Sequence, residues 1–541
     1  MTRPRLLALA VIAFSILGAR DATLRAELLE TILTHEAERD GDYDRLAAAW
    51  LDAVPAHAED PRIELLFRRL GTILPRLAEP EKLLEPLESL VDRGILRSPS
   101  RELALAIVGG LEARRGRYDE AFGIAKRQGA TTSFLVAGPF GRTNGGDLRR
   151  AYGPEESLEQ LDRVFRDGPR EIAWRVAERR YPESSIDPRH HAWPRRGAYY
   201  VLAQLEAQDA LAARLTLSGG NPIRAWLNGR VVTDDIDDRS FRSSERTFEV
   251  ELAPGWNHLL IMTQGPIGVR WSDPAGLPIP ADALREETAR TIHPLSDAAR
   301  ATSSPTRATT AIDRWREEVD GRTLPDAGSE DDPTRRAFAL EALGLAIVER
   351  DLGRSDLAVE HAERALTAAP KSPFILNQVA RTFRDADHLP STLRRNRAES
   401  LWKEATAVDP DFLPASIYLA RYLASDDKET EAAKLLEGVL ERRSSFLYAL
   451  LELERLYRSL EWETDARRVW GLVSAIAPGH PLPARLEGDR YRRLGAPARA
   501  LELYRESLEL DRGQIDLYSA IARIENSLGR ADEAERHLRQ R

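Results

Sequence analysis

Apolar positions in the C-terminal part of the chain return at a spacing longer than any helical period. Ala358, Ala398, Ala432, Ala466, Ala500 and Ala534 are separated by 34 residues, except for one gap of 40 that takes in six extra residues around "DADHLPST" (385–392). Thirteen positions before these alanines stand Val379 (allowing for the insertion), Leu419, Leu453 and Ile521. Four positions after them stand Trp402, Leu436, Trp470, Tyr504 and Leu538. Self-similarity at this period predicts stacked helical hairpins, in which a small residue lets two helices cross closely and a large one fills the next gap. Weaker echoes, "GDYDRLAAAW" (41–50) and "GRYDEAF" (116–122), predict similar hairpins over 21–130, with Gly41 and Gly116 at turns and Trp50 and Ala121 in the packing.

Between the two helical regions the period falls to two. "YYVLAQL" (199–205), "ARLTL" (213–217) and "FEVEL" (248–252) alternate apolar with polar or second-face residues, and "SGGNP", "PGWN" and "SDPAG" punctuate them. Short alternating runs joined by turn residues predict a β-sandwich over 131–280, opening at "FLVAGPFG" (134–141). In "RAWLNGRVV" (224–232), Asn228-Gly229 supplies the two positive φ angles of a type I′ hairpin turn. Trp226 and Leu227 then face opposite sides, and Trp226 and Trp256 are expected in the core. Residues 281–335 predict a helical connector.

The repeat pattern over about 339–541 resembles the tetratricopeptide repeat (TPR), most closely in 481–514, where Gly488, Tyr491, Gly495, Ala500 and Tyr504 fall in register. The order "FLVAGPFG", "WLNGRVV", "ELAPGWNHLLIM", "VRWSDPAGLP" resembles galactose-binding-like jelly rolls. The combination resembles the front part of large bacterial multidomain proteins that continue into a transglutaminase-like module. The resemblance implies a multidomain α + β chain: TPR-type all-α solenoids at 21–130 and 336–541 flanking an all-β jelly-roll sandwich.

Composition narrows the chemistry. The chain has 541 residues, a net charge of −9 and no cysteine. It therefore lacks a global basic field for nucleic acid, and it has no disulfide, thiolate metal site or cysteine nucleophile. The transglutaminase-like reaction, which needs that nucleophile, is accordingly not expected here. Residues 1–20, "MTRPRLLALAVIAFSILGAR", carry Arg3 and Arg5 before a short apolar run, the layout of a signal peptide or N-terminal anchor, and predict export to the periplasm or cell envelope. Membrane contact is expected only through this segment if it stays uncleaved.

No catalytic motif, phosphate loop or dinucleotide fingerprint is present, and no cofactor is expected. "HEAER" (35–39) places Arg39 where a zinc-protease helix needs its second histidine. "DDIDD" concentrates Asp234, Asp235, Asp237 and Asp238, carboxylates of the type calcium prefers, but without the spacing of a calcium loop. A solvated acidic turn is the simpler expectation. Trp193, in the loop-like "HHAWPRRG", is the candidate glycan contact.

The better-defined surface is the groove that the first helices of TPR units line, with their fifth and ninth positions pointing inward, as the resemblance implies. Counting from 373, 413, 447, 481 and 515, the fifth positions include Asn377 and Arg485, and the ninth include Arg381, Arg421, Arg455 and Arg523. Arg458, Arg492 and Arg493 lie one turn on. A row of guanidinium groups suits the carboxylates of an acidic peptide or protein tail. The expected function is thus a non-catalytic scaffold binding a protein or peptide, with the sandwich as spacer or second recognition module. The alternatives are carbohydrate binding through the sandwich, and an accessory part of an enzyme whose catalytic domain lies elsewhere, since the last repeat ends inside its second helix.

Overall fold

The computed structural model describes residues 25–141, 146–155, 164–177, 185–190, 197–219, 222–235, 244–286, 292–324 and 332–539. The C-terminal part consists of helical hairpins with one repeated geometry: Pro333–Asp351 with Ser355–Ala368, Pro373–Asp385 with Ser391–Val408, Leu413–Ala424 with Glu429–Arg442, Leu447–Ser459 with Glu463–Ile476, Leu482–Arg493 with Pro497–Leu510, and Ile515–Ser527 with Ala531–Arg539. The six phase-marking alanines are at most 1% exposed, which is why nothing larger recurs there. Gly488 shows how close the crossing is, because a Cβ added there would stand 2.6 Å from the Tyr504 ring. The insertion lengthens one element: Ser391–Val408 has 18 residues, whereas Glu429–Arg442 has 14. The extra turn lies before Ala398, so the packing register after it is unchanged.

The middle of the chain forms two large antiparallel sheets and a two-stranded ribbon, Phe165–Asp167 with Arg170–Ile172. The first runs Arg175–Ala177, Phe134–Phe140, Ala198–Ala207, Gly255–Thr263, Ile223–Leu227, Arg230–Asp235, with Leu284–Glu286 also on Ala198–Ala207. The second runs Thr306–Arg307, Ser244–Leu252, Leu211–Gly219, Ile267–Ser272, Ser185–Ile186. Alternate residues such as Tyr199, Val201, Leu215, Leu217, Phe248, Val250, Leu227 and Trp271 form one apolar core. The first sheet buries its other face as well: Tyr200, Leu202, Trp226 and Leu260 pack with Phe140, Phe165 and Ile172. Both Leu284–Glu286 and Thr306–Arg307 belong to sheets, so the sheet region extends past 280 into what the sequence presents as connector. The connector also holds the short helix Asp297–Arg300 and the helix Ala311–Asp320, which buries Trp315 among the helices.

The hairpin turn forms with φ of 51° at Asn228 and 82° at Gly229. Asn228 also does what the pattern did not predict. Its Nδ2 donates to Asn257 Oδ1 at 2.9 Å, and its Oδ1 accepts from His258 N at 2.9 Å. Asn257 in turn accepts from Ala253 N and donates to the Ala253 and Gly255 carbonyls. The "LNG" and "GWN" stretches are therefore one buried amide network that satisfies turn groups water cannot reach. Trp226 lies in a core, as expected. Trp256 does not: it is half-buried and stacks on His293 with centroids 3.9 Å apart.

The two helical regions do not stand apart at either end of the sheets. A single apolar core runs from Leu28 to Ile124 and on through Ile312 to Leu486. Residues 129–131 leave the N-terminal helices and pair alongside Ile267–Ser272: Trp271 N donates to Gly129 O, and Thr131 N to Val269 O, each at 2.9 Å. A Cβ at Gly129, whose φ is +70°, would collide with the Trp271 carbonyl. That close approach and positive φ both require glycine.

Candidate functional site

The N-terminal helices meet the repeats through one buried ion pair on a first helix and through contacts with the connections between hairpins. Arg62, 2% exposed, makes a paired bond to Glu341 on the first repeat, Nε to Oε2 at 2.9 Å and Nη2 to Oε1 at 3.0 Å. Arg39 reaches Asp409 at 3.1 Å, and Arg443 reaches Asp40 at 3.7 Å. Gly41 lies so near Phe446 that a Cβ would enter the ring. Further along, Arg512 N donates to Arg114 O at 2.7 Å, and Tyr118 Oη to Arg512 O at 2.6 Å. From the first hairpin to the loop before the last one, the array is met at intervals by the chain's own N-terminal helices.

Where the two layers meet, cations and phenols gather. Arg76 ends the turn Leu74–Arg76 after the helix Ile63–Ile73. Its guanidinium donates to Tyr418 Oη at 2.7 Å and to Tyr43 Oη at 3.3 Å, and lies 4.1 Å from the centre of the Tyr448 ring. A second guanidinium, Arg381, lies 4.8 Å from the Tyr418 ring and donates to Gln378 Oε1 at 2.9 Å. Arg421 donates to Tyr448 Oη at 2.7 Å and sits 3.4 Å from Glu452. Arg384 pairs with Asp385 at 2.8 Å. Among the described residues, neither Arg76 nor Arg381 has a carboxylate partner within ion-pair distance.

The electrostatics follow from that imbalance. Burial, reinforced by Arg350, Arg76 and Arg384, lowers the Arg381 guanidinium to about 10, with Tyr418 opposing. Burial alone would raise the Tyr418 phenol, but Arg381, Arg76 and Arg384 overrule it and pull the group down to about 7. Three buried donors nearby have no acceptor: Arg381 Nε, Arg350 Nη1 and Asn377 Nδ2. A region that depresses a buried phenol and leaves donors unpaired favours an anion.

The sequence candidates separate into groups. Arg381 and Arg421 join this cluster. Asn377 is 1% exposed and accepts from Trp402 Nε1 at 3.2 Å, a contact between the two helices of its own hairpin. Arg455 pairs with Glu452 and Arg458 with Glu454, each on its own helix. Arg485, Arg492 and Arg523 meet at a depression of about 280 Å³ with Asp489 and Asp516, and the exposed Arg493 is outside its wall. Asp234 is bonded to Arg224 at 2.8 Å and Asp235 to Arg246 at 2.7 Å, so both carboxylates are committed to ion pairs at a strand end. Asp237, Asp238 and Trp193 lie outside the described residues, as does the segment 1–20. Among the described residues no cluster of three or more histidines or acids could hold a metal ion, and no helix is long and apolar enough to cross a membrane.

Arg76, Tyr43, Tyr448 and Arg384 were not legible as site residues. Arg76 stands in "LPRLAEP", where nothing distinguishes it from other surface arginines. Tyr418 occupies a sixth position, which the groove rule does not count.

No known protein family matches the chain, and no curated protein does. Among solved structures it is similar to MamA, at 20% identity over 32% of this chain and 91% of that chain, with a TM-score of 0.27. It is similar to PilF of Pseudomonas aeruginosa at 15% identity over 38% of this chain and 90% of that chain, with a TM-score of 0.32. It is also similar to a tetratricopeptide repeat protein from Parabacteroides merdae, at 16% identity over 42% of this chain and 90% of that chain, with a TM-score of 0.31. Each similarity spans less than half of this chain. Its own hairpins, six in phase behind six buried alanines, make it a helical-repeat protein with a separate antiparallel sheet region.

Proposed function

We propose that the chain is an exported, non-catalytic scaffold that captures an acidic segment of a partner protein in the cleft formed by Arg76, Arg381 and Arg421. The observation that carries this reading is the pair Arg76 and Arg381, two guanidinium groups on one tyrosine with no carboxylate of their own. A carboxylate docked there gains charge-assisted bonds and offsets the repulsion between the guanidinium groups. Tyr43, Tyr418 and Tyr448 supply rigid walls. The sheet region, which this reading treats as a jelly roll, holds the N-terminal helices and the array in a fixed relation and so acts as the spacer.

Fluorescence anisotropy with a labelled Asp/Glu-rich peptide tests it. Binding is expected to weaken steadily with salt, and to fall about tenfold or more in Arg76→Ala and in Arg381→Ala, since one charge-assisted bond is worth roughly 1.5–3 kcal/mol. The double reversal Arg421→Glu with Arg455→Glu should abolish it. Salt-insensitive binding, or none by the wild type, sinks the proposal.

A further inference from the structure

Part of the outer face of the second sheet is covered by the rest of the chain. Arg214 and Thr216, Glu245 and Thr247, and Arg270 and Ser272 project from three neighbouring strands on the side opposite the core residues Leu215, Phe248 and Val269. Facing them are Glu64 on an N-terminal helix, the connector from Ala308 to Arg314, and Arg354 after the first helix of the repeats. Together they enclose a cavity of about 230 Å³ where all parts of the chain converge. Junctions of this kind are where small-molecule sites most often occur, and this volume is smaller than the roughly 300–1,000 Å³ of pockets for drug-sized ligands.

Its walls are uneven in charge. Glu245 is taken by Arg270 at 2.7 Å, and Glu64 by Arg68 at 2.6 Å. Arg354 is held by Glu349 at 3.1 Å. Two cations are left over. Arg214 has only Glu249 at 3.8 Å, and its buried Nε has no acceptor. Arg314 makes no ion pair among the described residues and reaches the rim of an adjoining depression as well. Between these cations run hydroxyls: Thr216 and Thr247 stand opposite each other with Oγ1 atoms 3.0 Å apart, and Arg270 is the next partner in the same row.

We infer that this cavity binds a small hydroxy-carboxylate of sugar-acid size. Arg214 and Arg314 hold the carboxylate, and the ligand's hydroxyls exchange bonds with Thr216 and Thr247 and donate to Glu245, which lines the same wall. A phosphate dianion fits the walls less well, because Glu64 and Glu245 repel its second charge, whereas they accept hydroxyls. A neutral sugar leaves both surplus guanidinium groups unpaired.

Isothermal titration of the full chain with D-glucuronate tests the assignment, with D-glucose, acetate and inorganic phosphate as comparisons. Saturable one-to-one binding is expected, at least tenfold tighter than for any of the three. Arg214→Ala and Arg314→Ala should each weaken it tenfold or more, and Thr309→Trp, at the exposed edge of the mouth, should block it. Arg314 is on the surface, so Arg314→Ala decides the matter if Arg214→Ala disturbs folding. Absence of saturable glucuronate binding overturns the inference, as does equal affinity for glucose or phosphate, or an unchanged affinity in Arg314→Ala. Acidic-peptide binding measured on the same Arg314→Ala protein should be unaffected, so this inference and the proposed cleft fail separately.

Discussion

Replacing Asn257 with alanine removes one side chain and four hydrogen bonds from the sheet region. Asn257 is fully buried. Its Oδ1 accepts from Asn228 Nδ2 at 2.9 Å and from Ala253 N at 3.0 Å, and its Nδ2 donates to Ala253 O at 2.8 Å and Gly255 O at 3.0 Å. In Asn257→Ala the two donors have no replacement, and each orphaned buried group costs about 1–3 kcal/mol. The sheet region should therefore lose roughly 2–6 kcal/mol, a large fraction of the stability of an ordinary domain. Asn228→Gly supplies the control. Glycine keeps the positive φ of the turn, so it deletes the side-chain bonds without straining the backbone. Because Asn228 Nδ2 is already unpaired in Asn257→Ala, the double variant should lose less than the sum of the singles, by about 0.5–3 kcal/mol. Urea unfolding followed by tryptophan fluorescence reads this well, since Trp226 and Trp256 flank the network. A loss below about 0.5 kcal/mol in Asn257→Ala, or strict additivity in the double variant, refutes the claim that the two asparagines form one network.

Other perturbations probe the remaining joints. Gly488→Ala places a Cβ 2.6 Å from the Tyr504 ring and should cost about 1–3 kcal/mol as overpacking, seen as faster amide exchange confined to the last two repeats. Glu341→Gln breaks the buried pair with Arg62 and should destabilise the junction between N-terminal helices and array by about 3–5 kcal/mol, measured by thermal unfolding and by new protease cleavage near residue 60. His258 is buried, and desolvation lowers its imidazole to about 4 from an ordinary 6.5. The unfolded chain therefore takes up this proton first as pH falls, so stability from this group is complete above pH 6.5 and is lost between about 6.5 and 4. That contribution amounts to roughly 3 kcal/mol. The difference between wild-type and His258→Gln stability curves should follow that slope, and a flat difference across the window contradicts the assignment.

Legibility varied with the range of the interaction. The repeat phase could be read because each alanine answers to a helix in its own hairpin, a few tens of residues away. The Asn228-Gly229 turn could be read because a backbone angle is a local property. The bond from Asn228 to Asn257 could not, although both were visible as turn residues, because a strand pairing brings them together across 29 positions. The arginine row was legible as a set of positions but not as a site. Arg455 and Arg458 pair with carboxylates three or four residues away on the same helix, whereas the one four residues from Arg381, Asp385, pairs with Arg384 instead.

The sequence by itself therefore determined the kind of elements, their period and the residues that each must bury, since these depend on side-chain shape and on contacts within one hairpin. Only the tertiary structure decided that the two helical regions share a core, and that Arg76 enters the face of the repeats beside Arg381. That placement depends on the sheets. They set the distance and angle at which the N-terminal helices return to the array, and this geometry depends on all the intervening residues at once.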